Sequence, residues 1–182
     1  GLGDVYKRQT EGRFAEGWAF YESRLDGKFD EDHFMSTMVR RFAPDWDGQT
    51  PEKQLLVLPE QGLGDQIFYA EMLADLEQLG IEALVCVNER LIQLFQRSFP
   101  KLLFATPSQV VALDPDQSVF GAQITMASMG RWLRKETADF KNVRSPFLKP
   151  DHARSTELRN ALKLPNRPVS YTHLRAHETR ED

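Results

Sequence analysis

Residues 54–80 read QLLVLPEQGLGDQIFYAEMLADLEQLG. The short apolar run Gln54–Leu58 has the length of a strand. It is followed by a turn carrying Glu60, Gln61, Gly62, Leu63, Gly64 and Asp65, and then by an amphipathic stretch, about Gln66–Leu79, that stops at Gly80. Strand, tight loop and helix in that order place the loop at the carboxyl end of the strand, where open α/β sheets bind their ligands. Two glycines let the backbone come close to a bound group, and a carboxylate follows at once. Asp65 is therefore the leading catalytic candidate. Glu60, Gln61, Gly62, Gly64 and Gln66 are the candidate substrate-binding residues around it. Each has a plainer reading: glycines make ordinary turns, Glu60 and Gln61 can satisfy loop backbone, and Asp before a helix is a favoured N-cap. A capping role would commit the Asp65 carboxylate and lower its pKa, which weakens a base.

Outward from this stretch a βαβα rhythm continues. Ile81–Val87 reads as the second strand and Glu89–Phe99 as the second helix, with Leu91, Leu94, Phe95 and Phe99 on one side and Pro100 ending it. Leu102–Ala105 is the third strand. A polar loop follows, then Ala122–Thr125 as a short fourth strand, Met126–Lys135 as a short helix, Phe147-Leu148 as an apolar latch and His152–Leu162 as a last helix. Alternation at this spacing predicts a Rossmann-like, mostly parallel sheet with helices on both faces. Arg90 and Arg97 share a face of the second helix, and Arg131, Arg134 and Lys135 form a further basic cluster. Both groups read first as solvated faces.

The two ends of the chain have a different origin. Gly1–Gln9 is GLGDVYKRQ, and residues 169–176 are VSYTHLRA. Written as GGG CTC GGA GAT GTG TAT AAG AGA CAG, the first peptide's DNA has a reverse complement that, read from its third base, gives GTC TCT TAT ACA CAT CTC CGA GCC. That translates as the second peptide. The duplex resembles a transposon-type sequencing adapter, so residues 1–9 and 169–182 are read as translated adapter and set apart from the fold. The match of Gly1–Asp4 to Gly62–Asp65 then carries no meaning. The insert, about Thr10–Arg167 with Pro168 at the junction, is expected to be cut at both ends.

The composition excludes several classes. The net charge of −4 belongs to the insert, because the charges of the two tails cancel. A mildly acidic chain does not point to nucleic acid or to an anionic membrane. No apolar run is long enough to span a bilayer, and the expected location is cytoplasmic. The single cysteine, Cys86, lies in an apolar strand and reads as a buried, inert thiol. Outside the tails only His33 and His152 remain, without Cys partners, so no metal site is expected. Gly62-x-Gly64 lacks the third glycine of a dinucleotide fingerprint, since Ile67 stands there, and no Lys-Ser/Thr follows as in a Walker A loop.

Before the α/β body, Thr10–Leu25 carries Phe14, Gly17, Trp18, Tyr21 and Leu25 at helical spacing. The order Gly12-x-Phe14-x-x-Gly17-Trp18-x-x-Tyr21-Glu22-x-x-Leu25 resembles the second half of a tetratricopeptide repeat, with Gly17 as the small residue that lets two helices approach. Such a half-repeat needs stacking neighbours upstream. The alternative is a lone amphipathic helix packed on the body. Residues 26–50 read as a linker, anchored by Phe42, Pro44 and Trp46 and turning at Asp47-Gly48, long enough that part of it should pack on the body. Trp46 pins that loop or stacks on a sugar.

Taken together, GRFAEGWAFYESRL, PDWDGQ, LLVLPEQGLGDQIFYAEML, NERLIQLFQRSFP, SMGRWLRK and FLKPD resemble bacterial tetratricopeptide proteins that carry a glycosyltransferase-like domain. These are similar to the heptosyltransferase and O-linked N-acetylglucosamine transferase groups of the two-domain GT-B fold. The resemblance implies that residues 10–25 are half a repeat. It makes 51–150 the N-terminal, acceptor-binding half of a GT-B fold, and 151–168 the inter-domain helix and truncation point. It implies transfer of a sugar from a nucleotide-sugar donor to a protein or glycan acceptor, with the donor domain missing, no cofactor in this piece, and no activity of the piece alone. Gly64-Asp65 matches the family's Gly-Asp pair, which makes Asp65 the base. Protein partners would dock on the repeats. The rival is a non-catalytic repeat module with a degenerate transferase domain. An adapter-free clone of the locus should return other codons in place of residues 1–9 and 169–182; recovery of the same codons there would refute the artefact reading.

Overall fold

The computed structural model describes residues 7–8, 10–25, 42–113, 119–141 and 146–162. They fall into two units, Gly1–Lys149 and Pro150–Asp182. Most of the linker, residues 26–41, lies outside the described residues, as do 1–6, 9, 114–118, 142–145 and 163–182.

The first unit opens with helix α1, Phe14–Tyr21, which tightens into a 3-10 turn over Glu22–Leu25. Strand β1, Gln54–Leu58, leads into α2, Leu63–Tyr69. A 3-10 turn at Ala70–Met72 joins α2 to α3, Leu73–Leu79, which ends on Gly80 in the left-handed region at φ 70°. Glycine adopts that conformation without the Cβ penalty, so the expected stop is the observed one. Strand β2, Ala83–Cys86, is followed by α4, Glu89–Ser98, capped by the Asn88 side chain, which accepts from the Arg90 amide. Strand β3 is Leu103–Ala105. The polar loop expected after it contains a short helix, α5, Pro107–Val111, whose Thr106–Gln109 capping box and N-terminal proline start it. Strand β4 is Phe120–Thr125, and a 3-10 turn at Ala127–Met129 runs into α6, Gly130–Leu133. In the second unit, α7 covers His152–Ala161 and is capped by Asp151.

All pairings in the sheet are parallel, in the order β3-β2-β1-β4. Both faces are covered, as the near-continuous apolar runs require. Leu55 and Val57 point into a core with Leu73, Leu76, Leu91 and Phe95, from the α2–α4 side. Leu56 and Leu58 point the other way, against Phe42, Val110 and Phe120. Leu55, Leu56, Val57 and Leu58 have no exposed surface; each is worth roughly 1.5–3 kcal/mol of burial. Cys86 sits in the second cluster, and burial pushes its thiol pKa up to about 12. Between Gln54 and Leu55 the register with β4 shifts, so Gly121 stands as the extra residue; a Cβ there would lie 3.0 Å from the Lys53 amide nitrogen.

Two segments outside the βα core dock on it. Asp45 bridges to Gln123 in parallel, with Trp46 N–H donating to the Gln123 carbonyl and Gln123 N–H donating to the Pro44 carbonyl, each at 2.8 Å. Trp46 is buried and its indole N–H bonds the Gln49 carbonyl, so it pins this segment to the core. Helix α1 packs through Trp18, whose indole N–H donates to the Arg134 carbonyl at 2.8 Å. Gly17, expected as the small residue of a repeat's helix pair, is buried. The position with no room for a side chain is Gly130 on α6, where a Cβ would lie 2.4 Å from the Trp18 ring. The basic cluster is not the solvated face that its spacing suggests. Arg134 is buried, paired with Asp75 at 2.7 Å and Glu71 at 3.4 Å, and ties the end of α6 to the α2–α3 side. Arg131 and Lys135 are exposed. Gly130→Ala should destabilise the chain by roughly 1–3 kcal/mol in urea unfolding, because the methyl overlaps the Trp18 ring; an unchanged midpoint would mean that α1 does not rest on α6.

Candidate functional site

With β1 in the middle and β4 beside it, the order of the sheet reverses between these two strands. Their carboxyl ends form the crevice in which open α/β sheets bind ligands. The EQGLGD loop stands on one side of it and the Met126–Met129 turn on the other.

The loop divides into a buried half and an exposed half. Glu60 belongs to the first, with 8% of its surface exposed. Its Oε1 accepts from the Ala127 amide at 2.9 Å, which joins the ends of β1 and β4 across the crevice. It also accepts from Arg24 Nη2 at 3.1 Å. Arg24 reaches in from the 3-10 turn after α1. Its Nη2 lies 2.8 Å from Thr125 Oγ1 and 3.0 Å from Ser128 Oγ, and its Nη1 donates to Glu22 Oε1 at 3.0 Å. The guanidinium covers the Tyr21 ring at 4.2 Å, and its Nε is buried without a hydrogen-bond partner among the described residues. Burial works against the Arg24 charge, but Glu60 and Glu22 outweigh it and hold the pKa above the ordinary guanidinium value. Tyr69 stands beside this group, donating to the Tyr21 hydroxyl at 3.1 Å; burial, and then that bond, raises its phenol pKa. Gln66 is likewise turned inward. Its Nε2 donates to the Glu60 carbonyl at 2.7 Å and its Oε1 accepts from the Asn88 amide at 2.9 Å, so its side chain clamps the loop after β1 to the loop after β2.

The exposed half comprises Gln61, Gly64 and Asp65, with Gly62 partly covered. Helix α2 starts earlier than the sequence spacing suggests, and Gly62 holds the N-cap position in extended conformation without a side-chain cap. Asp65 is therefore not the cap. It lies in the first turn of α2, where a negative charge is favoured by the helix dipole. Among the described residues no hydrogen bond or ion pair engages its carboxylate. That carboxylate folds back over Gly62: a Cβ on Gly62 would lie 2.6 Å from Asp65 Oδ2. Gly64 is different. It has ordinary helical backbone, and a Cβ there would meet nothing within 4 Å. Nothing in the fold asks for glycine at that position.

A cavity of about 270 Å³ opens at the carboxyl ends of β1 and β4, walled by Glu22, Trp46, Leu58, Thr125, Ser128 and Arg131. None of the exposed loop residues lines it. The structure thus brings Glu60 and Gln66 into the scaffold and leaves Gln61, Gly64 and Asp65 at the rim. Arg24, Thr125 and Ser128 were not legible as site residues, because Arg24 meets Thr125 and Ser128 across 101 and 104 positions of chain. Among the described residues no group of His, Cys, Asp and Glu is placed to hold a metal ion, and no helix is long and apolar enough to cross a membrane.

No protein-family model matches the chain, and no solved structure matches it. The chain is 35% identical over 156 residues to Protein FlbA of Caulobacter vibrioides, a match that takes in 79% of this chain and 25% of that protein. The chain thus spans about a quarter of the relative's length. Gly64→Ala should stabilise the isolated chain by about 0.4–1 kcal/mol, since Ala suits a helix and meets open space. Gly62→Ala should give no such gain, because its methyl meets the Asp65 carboxylate. A urea-unfolding loss at Gly64→Ala would show that this glycine serves the fold.

Proposed function

We propose that this chain is a piece of a glycosyltransferase-like protein of GT-B type, in which the α/β body holds the acceptor at the carboxyl edge of the sheet. A second domain supplies the nucleotide-sugar donor. The observation that carries this reading is Asp65: an exposed carboxylate without a partner among the described residues, at the ligand-binding end of β1, next to a glycine the fold does not require. In the reaction the acceptor hydroxyl oxygen attacks the anomeric carbon, its proton passes to the Asp65 carboxylate, and the nucleoside diphosphate leaves with the electron pair of the broken bond. Gln61 and Gly64 border the same rim. Glu60 and Gln66 act through the scaffold, holding the loop. In this reading the protein works in the cytoplasm, α1 closes an upstream tetratricopeptide array that engages protein partners, and neither a metal nor nucleic acid takes part.

A second reading has an observation of its own. The Arg24 guanidinium is engaged by Glu22, Glu60, Thr125 and Ser128 at the ends of β1 and β4, which suits a non-catalytic interaction module whose ligand site has been given over to structure. Asp65→Asn in the complete protein separates the two. Asp65 caps nothing, so the melting temperature should stay within a degree or two, while turnover with the native donor should fall roughly 10²–10⁴-fold. Turnover retained in the Asn variant removes Asp65 from the mechanism. A complete protein that transfers no sugar from any nucleotide-sugar donor removes the transferase reading and leaves the module.

A further inference from the structure

Phe68 is the most exposed large apolar side chain among the described residues, at 70%. Its neighbours Ile67 and Tyr69 pack against the core. Phe68 follows Asp65 by three positions and Gly64 by four, so the three share one face of α2, with side-chain origins about 5–6 Å apart. The space at Gly64 is open, so the Phe68 ring does not fill it. The ring is oriented rather than loose: it meets Tyr69 edge to face, centroids 5.0 Å apart at 84°, and Tyr69 is itself held by the Tyr21 hydroxyl. The solvent face of α2 thus presents a fixed aromatic surface, a notch and a free carboxylate in a row.

Such a row selects a chemistry. Helix α2, LGDQIFY, contains no Lys or Arg, so it offers no side-chain charge for a phosphate or carboxylate. An extended peptide docks by pairing with a free strand edge, but β1, which leads into α2, and β2 are interior strands, Asp45 bridges to Gln123 of β4, and the other edge, β3, lies two strands away from β1. A pyranose ring fits the row instead. Its C–H face carries hydrogens polarised by the ring oxygens, which suit the electron-rich face of an arene, and its hydroxyl edge suits a carboxylate acceptor. We propose that Phe68 is the platform on which a sugar ring of a glycan acceptor stacks, over the notch at Gly64, so that one hydroxyl reaches Asp65. This rests on the transferase reading for its purpose, and it decides between the two acceptor classes in favour of a glycan.

The test applies the labelled full chain to printed arrays of neutral oligosaccharides and of Ser/Thr-containing peptides, with titration of any retained saccharide by NMR. The unchanged chain should bind saccharides. Phe68→Ala should weaken binding by about tenfold, Phe68→Trp should keep it, and neither should move the melting temperature. Binding to peptides alone, binding to neither array, or equal saccharide binding by Phe68→Ala overturns the proposal. Transfer by the complete protein that is indifferent to Phe68→Ala overturns the platform and leaves the transferase reading. Saccharide binding lost in Phe68→Ala, in a complete protein that transfers nothing, leaves the platform and removes that reading.

Discussion

The buried Glu60 carboxylate is the constraint on which the rest of the site depends. A charge taken out of water at the end of a strand must be met by donors, and here two are brought to it from distant parts of the chain. The Ala127 amide closes the gap between β1 and β4, and the Arg24 guanidinium carries the segment after α1 into the crevice. One side chain therefore fixes the relation of three pieces that have no local reason to meet: the first βα loop, the turn after β4, and the helix that precedes the sheet. Trp18 on Gly130 and Arg134 on Asp75 fasten the same helix and turn from the other side. Packing and electrostatics agree on one placement.

That placement explains why the loop after β1 is split. Glu60 and Gln66 lie six residues apart and both turn inward, Gln66 giving one end of its amide to the Glu60 carbonyl and the other to Asn88. Between them the chain must bulge outward, and the residues at the outside of the bulge and on the first turn of α2 have no such duty. Asp65 is left at the surface with its carboxylate over Gly62. Among the described residues none of the scaffold's hydrogen bonds uses its side chain, which separates a residue that serves the fold from one that is free to serve a ligand.

Much of the fold could be read from the residues, because the signals were local. The apolar runs at 54–58 and 81–87, the stop at Gly80, and the amphipathic stripe from Leu91 to Phe99 each follow from short-range chemistry, and the parallel sheet follows from their alternation. What could not be read depended on long-range pairing. Helix α2 begins at Leu63 rather than near Gln66 because Gly62 can stand in extended conformation at the N-cap, which displaced Asp65 from the capping position. Helix α5 lies in a polar stretch, where its capping box, Thr106 to Gln109, is a local signal without an apolar stripe to accompany it. Arg134 reads locally as a surface charge because its partners, Glu71 and Asp75, lie on the other side of three strands in sequence. Of the candidate site, Asp65 and its glycines were legible, while the inward turn of Glu60 and Gln66 was not.

The same logic sets the cost of drawing Arg24 onto an anion. A phosphate entering between β1 and β4 would draw Arg24 away from Glu60 and Glu22. Glu60 would then keep its amide bond to Ala127 but lose its cation, and leaving a buried charge without its partner costs about 3–5 kcal/mol. A neutral ligand gains nothing by displacing the guanidinium and loses the bonds to Thr125 and Ser128. Besides the cavity at the ends of β1 and β4, the solvent face of α2 is open at this end of the sheet, and Gly64, Asp65 and Phe68 stand in line on it. What the protein needs for its own stability lies below that face, and what lies on it can be altered without disturbing the sheet.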